Sequence, residues 1–249
     1  MFGYSHVDIG IVWSVRRSGG AVVGGMITFP SQGGEVRAYL SAPRAASGPG
    51  VVVIPEFWGL VPHITDICDR FAAEGFVALA PDLYDGVVTT DPKEAGDLMM
   101  AMRPAEAAED LSAAVDAVAL HAPDQGVGVV GFCMGGGLAF VVASERSDRV
   151  RAVVPFYGAI PWEGAEPDYG SITGAVLGHY AANDPWATPQ LCRDIERQIR
   201  VGGNFDVTMH VYAGTEHAFF NDSRPEVYAA RAAALAWERT VAFLRDRLA

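Results

Sequence analysis

Val127-Gly128-Val129-Val130-Gly131-Phe132-Cys133-Met134-Gly135-Gly136-Gly137 is a β-branched apolar run that passes through a cysteine into a glycine-rich helix start. A strand that bends sharply into a helix needs small residues two before and two after the bend, because a larger side chain collides with the neighbouring strand or helix. Gly131 and Gly135 meet that demand, and the residue at the bend is Cys133. A thiol there stands at the top of a sheet and is placed for nucleophilic attack. A cysteine serving only as a small core hydrophobe would not need those flanking glycines. The following stretch, Leu138 to Ser144, reads as helix.

Strand and helix signals alternate on both sides of this elbow. Val36 to Leu40 alternates like a strand, and Val51-Val52-Val53-Ile54 is a run of the buried parallel kind. Ile64 to Glu74 has apolar residues at helical spacing with Gly75 as its stop, and Val77-Ala78-Leu79-Ala80 is the next short strand. Pro92 to Ala101 and Pro104 to His121 read as outer helices. Ala152 to Tyr157, Ala175 to Tyr180 and Val207 to Tyr212 read as strands, and about Pro225 to Arg247 as a final helix. Parallel strands joined by helices predict a doubly wound, mostly parallel α/β sheet flanked by helices, with function at the carboxyl ends of strands. The chain of 249 residues, 50% hydrophobic, suits one such domain over 26–249 with no large lid domain. Residues 1–25 lack clear periodicity, are interrupted by Ser18-Gly19-Gly20 and Gly24-Gly25, and precede a natural start at Met26. They are expected to be an extension or a misassigned start.

The formal net charge of −12 argues against nucleic acid, whose phosphates such a surface repels. No apolar run is long enough for a membrane span, and the first residues, with Asp8, Arg16 and Arg17, lack the order of a signal peptide. A soluble cytoplasmic protein, monomeric or a small homo-oligomer, is the expectation. Cys68, Cys133 and Cys192 are odd in number and far apart, which suggests neither a disulfide framework nor a metal knuckle.

A thiol nucleophile needs a base, and the base needs an acid to orient it, in the chain order nucleophile, acid, histidine that the α/β-hydrolase fold uses. Asp184 follows the Ala175 to Tyr180 strand in Asn183-Asp184-Pro185, and His217 follows the last strand in Gly214-Thr215-Glu216-His217-Ala218-Phe219. His217 would take the thiol proton, Asp184 would hold the imidazole, and Cys133 would form an acyl thioester. The backbone amides of Met134 and Phe57 are the candidate oxyanion donors. Glu56, directly after a buried strand in Pro55-Glu56-Phe57-Trp58-Gly59, is placed to share a hydrogen bond with the resting thiol.

Glu56, the Gly-Phe-Cys-Met-Gly-Gly elbow, Ala80-Pro81-Asp82-Leu83-Tyr84, Asp184 and Gly214 to Phe219 together resemble the dienelactone hydrolase family, from about Ile27 to the C-terminus. The resemblance implies a Cys-His-Asp hydrolase without cofactor or metal that opens enol-lactones such as 4-carboxymethylenebut-2-en-4-olide to maleylacetate in chloroaromatic breakdown. It places Cys133, His217 and Asp184 in the triad and Glu56 as the thiol's resting partner. Family members that act on dienelactone hold the substrate carboxylate with two arginines. Asp85 and Asn221 stand at those places here, and Ala218 where a serine often follows the histidine. A missing charge partner costs a few kcal/mol of binding. Either Arg224 reaches back across its loop to replace it, or the substrate is a neutral or differently arranged ester, lactone or thioester. Trp58, Tyr84, Trp186 and Phe219, with Phe57, are candidate pocket walls, and Asp85 a pocket position open to test. The competing reading is a catalytically weak relative that binds a small ligand or senses redox state through Cys133.

Overall fold

The computed structural model describes residues 22–122 and 125–248. β3 (Gly50–Ile54) is buried on both faces and sits near the middle of an eight-stranded sheet of order β1-β2-β4-β3-β5-β6-β7-β8. β1 (Val22–Ser31) and β2 (Gly34–Pro43) form an antiparallel edge. β2 also runs antiparallel to β4 (Val77–Pro81). From β4 onward, through β5 (Val127–Phe132), β6 (Val150–Phe156), β7 (Ala175–Ala181) and β8 (Val207–Tyr212), all pairing is parallel. The chain moves outward from β3 to β4 and then returns to lay β5 on the other side of β3. That reversal opens a crevice at the carboxyl ends of β3 and β5, where doubly wound sheets bind their ligands.

Strand alternation divides the core between two layers. Val52 and Ile54 of β3 pack with α3 (Pro104–Ala119) and α4 (Met134–Glu145) on one face, joined by Ile195 and Ile199 of α5 (Pro189–Val201). Val51 and Val53 face α1 (Pro62–Ala73) and α6 (Ala230–Leu248) on the other. Each strand side chain points opposite to its neighbour, so a continuous Val/Ile run is what burial on both faces demands. α2 (Pro92–Ala101) begins at Asp91, whose carboxylate accepts from the amides of Lys93 and Glu94.

Three sequence expectations shift. β1 begins at Val22, so Val22–Gly25 belong to a paired strand and not to an extension; residues 1–21 lie outside the described residues. α6 begins at Ala230, because Val227 and Tyr228 donate back to the Arg224 carbonyl in a turn and the Ala229 amide bonds to Phe219. α5 is an element that the apolar pattern alone did not suggest. Among the described residues no helix is long and apolar enough to cross a membrane.

Candidate active site

Cys133 sits between β5 and α4 with φ 55° and ψ −118°, a conformation that a non-glycine residue adopts only when its surroundings force it. The glycines around it show the force. A Cβ on Gly131 would come 2.0 Å from the Gly135 carbonyl oxygen, and one on Gly135 would come 2.4 Å and 2.5 Å from the carbonyl oxygens of Ile54 and Pro55. Those atoms are backbone of the elbow and of the segment leaving β3, so neither neighbour can swing aside. Gly135→Ala is therefore expected to cost about 3 kcal/mol or more. In a domain of this size that lowers the melting temperature by roughly 10 °C, read by thermal unfolding; an unchanged melting temperature would mean that the elbow is not packed against the end of β3.

The other two expected members converge on the thiol. Asp184 follows β7 and is buried. Its Oδ1 accepts from the amides of Trp186 and Ala187 at 2.9 Å each, and its Oδ2 lies 2.6 Å from His217 Nδ1. A carboxylate can only accept, so Nδ1 carries the proton and Nε2 is the nitrogen left for the thiol. Burial alone would lower the imidazole's pKa. Hydrogen bonds with Asp184 and Cys133, and the charges of both, outweigh burial and raise it from the ordinary 6.5 to about 10. The arrangement stabilises the charged imidazolium that forms when His217 takes a proton. Met134 is the first residue of α4, so its amide is one of the helix's unpaired donors at the positive end of the dipole. Phe57 follows the end of β3, which pairs with β5 through Ile54 and Gly131.

Glu56 is 1% exposed. Its carboxylate is held by other groups than the thiol expected from sequence: the Tyr157 hydroxyl donates to Oε1 at 3.1 Å and the Asn221 amide to Oε2 at 2.7 Å. Tyr157 directly follows β6 in a left-handed conformation (φ 40°) and lays its ring 5.0 Å from that of His217. Burial, then the charges of Glu56 and Cys133, hold its hydroxyl well above the usual tyrosine range. Sequence reasoning took Tyr157 only as a strand residue; its signal was an aromatic at the carboxyl end of a strand next to the elbow strand.

The expected pocket walls divide. Trp186 is exposed and stands edge-on to His217 at 5.0 Å. Trp58 is half-buried, packs against Phe57 at 4.3 Å and lies under the Arg224 guanidinium at 5.7 Å. The Tyr84 hydroxyl donates to Met134 Sδ at 3.4 Å, and burial followed by the charge of Cys133 raises its pKa. Phe219 is not a wall. It follows Ala218 at φ 64° and is fully buried, 5.7 Å from the Tyr157 ring and 5.0 Å from that of Tyr212. Asp85 is exposed on a left-handed turn at φ 51°, directly after Tyr84. Arg224 remains near the site, its Nε 2.8 Å from Glu226. A separate apolar hollow of about 240 Å³, lined by Ile27, Phe29, Leu79 and Leu120 among others, shares no residue with this site. Among the described residues no cluster of His, Cys, Asp or Glu is arranged to hold a metal ion.

Residues 36–248 match the dienelactone hydrolase family. The protein usf of Aquifex pyrophilus is 38% identical over 91% of this chain and 100% of its own length. A protein of Aquifex aeolicus, provisionally named a carboxymethylenebutenolidase, is 36% identical over 91% of this chain and 100% of its own. Among solved structures, a protein of Klebsiella pneumoniae provisionally named a dienelactone hydrolase superposes with a TM-score of 0.81 at 29% identity, covering 91% of this chain and 99% of that one.

Proposed function

Because the chain belongs to the dienelactone hydrolase family, we propose that it hydrolyses small, activated, uncharged esters or lactones through an acyl thioester on Cys133. The observation that carries the reading is the elbow cysteine at φ 55°, linked through His217 to a buried Asp184. His217 Nε2 takes the thiol proton, and the thiolate attacks the acyl carbon. The oxyanion is met by the amides of Phe57 and Met134. Collapse breaks the acyl–oxygen bond, and the leaving oxygen takes the proton back from His217; in a lactone it stays tethered to the acyl group as a hydroxyl or enol. Water then attacks the thioester with His217 as base, releasing the acid and restoring the thiol.

The preference for uncharged substrates rests on charge. Glu56 is a buried carboxylate whose two partners, Tyr157 and Asn221, are neutral. Arg224, the cation whose charge reaches Tyr157, is already engaged with Glu226 and the face of Trp58. A substrate carboxylate would enter beside an uncompensated anion, at a cost of a few kcal/mol. The test compares kcat/KM for p-nitrophenyl acetate with that for cis- and trans-dienelactone. The neutral ester is expected to be favoured by about tenfold or more, the equivalent of about 1.4 kcal/mol. Preference for the carboxylate-bearing lactones, lost in Arg224→Ala, would overturn the neutral-substrate reading and make Arg224 the carboxylate's partner. A redox-sensing role finds no second thiol ready to react: Cys68 and Cys192 are buried, Cys68 pushed well up by burial and Cys192 pushed up to about 12, again by burial first.

A further inference from the structure

Two consecutive residues after β8, Asn221 and Asp222, reach across to the two ends of the segment that carries the Phe57 amide. Asn221 bonds to Glu56 at its start, and Asp222 Oδ1 lies 3.0 Å from Nδ1 of His63, in the first turn of α1 at its end. The His63 side chain is 2% exposed, whereas that of Asp222 is 47% exposed. His63 Nε2 is buried and has no hydrogen-bond partner among the described residues, so Asp222 is the ring's hydrogen-bonding anchor. The turn holding Asp222 is itself stiff. Asn221 Oδ1 accepts from the amide and hydroxyl of Ser223 at 3.1 Å and 2.6 Å, and the Asn221 amide bonds to the carbonyl of Ala218, next to His217.

We propose that Asp222 and His63 form a positioning clasp that sets the oxyanion amide of Phe57 in register with His217. The inference rests on the thioester reading above, since it is that reaction's geometry the clasp would set. One loop carries the base, the other carries an oxyanion donor, and no strand pairing joins them. Asn221 fixes the near end of the donor segment. Without Asp222 the far end is free to pivot, and His63 is left in the core with neither ring nitrogen bonded. Misplacement of about 1 Å at a reacting centre is enough to cost up to about 100-fold in rate.

Neither clasp residue touches the reacting atoms, so the test separates positioning from mere stability. Asp222→Ala, at an exposed side chain, is expected to fold and to lower kcat for p-nitrophenyl acetate about 10- to 100-fold, with KM changed less than about twofold. Asp222→Asn keeps an oxygen that accepts from His63 Nδ1–H, and is expected to recover kcat to within about threefold of wild type. Assays run well below each variant's melting temperature. Wild-type kcat in Asp222→Ala, or a loss that Asp222→Asn shares in full, overturns the clasp. Cys133→Ala is assayed alongside. Turnover that survives it defeats the thioester reading, whereas its loss together with normal turnover in Asp222→Ala defeats the clasp alone.

Discussion

Cys133→Ala is expected to lower kcat for p-nitrophenyl acetate by about 10⁴-fold or more while leaving the fold intact, since removal of a nucleophile from a triad costs about as much as removal of the whole triad. The side chain lost is half-buried in the elbow and caps no helix hydrogen bond, so packing changes little. Cys133→Ser is the more discriminating variant. It is isosteric, yet it is expected to retain only a small fraction of the activity. His217 is raised to about 10 partly by Cys133 itself, so the cysteine helps to stabilise the imidazolium that forms when the proton is transferred. A serine hydroxyl is a far weaker acid and gains no such partner. The wild type should also give a burst of p-nitrophenol and an acetylated Cys133 detectable by mass, the marks of a covalent intermediate. A burst that persists in Cys133→Ala would remove the cysteine from the mechanism.

The elbow was legible because its requirement is local: Gly131 and Gly135 stand at fixed offsets from Cys133, and the atoms they spare belong to the same turn and to the strand beside it. β3 and β5 were legible because burial on both faces selects runs rich in valine and isoleucine. Asp184 and His217 follow their strands directly, so finding the strands located them. The start of β1 was hidden by Gly24 and Gly25, which read as breaks. They lie in the strand opposite Ser41 and Leu40, and a Cβ on Gly24 would come 2.3 Å from the Tyr39 hydroxyl, which bonds to Asp69. α5 was missed because its buried stripe is only Cys192, Ile195 and Ile199, set among arginines, although Thr188 caps it and Pro189 opens it. The partners of Glu56 and His63 were illegible for another reason. Tyr157 and Asn221 are 101 and 165 residues from Glu56, and Asp222 is 159 from His63, so only the folded sheet brings them together.

Asp184→Asn is expected to fold normally and to lower kcat by about 10³- to 10⁴-fold, on the scale of the same change in other triads. The argument turns on which atom must face which neighbour. Oδ1 accepts from the Trp186 and Ala187 amides, and an asparagine must keep its oxygen there because its NH₂ group cannot accept. That turns the NH₂ group toward His217 Nδ1, which Oδ2 now faces at 2.6 Å. The imidazole can answer this donor only by moving its own proton to Nε2, the nitrogen that has to receive the proton of Cys133. Stability carries a second signature with a definite sign. His217 is raised from 6.5 to about 10, so its ionic contribution is fully present below pH 6.5 and is lost as pH climbs through about 10. Asp184→Asn removes the hydrogen bond that is the largest single cause of that elevation. The ionic part of the stability gap between wild type and variant should therefore be largest in mild acid and close above about pH 10, read by denaturant unfolding across that range. Wild-type kcat in the variant would show that Asp184 does not orient His217. A gap that widens toward alkaline pH would show that protonation of His217 does not contribute to the folded protein's stability.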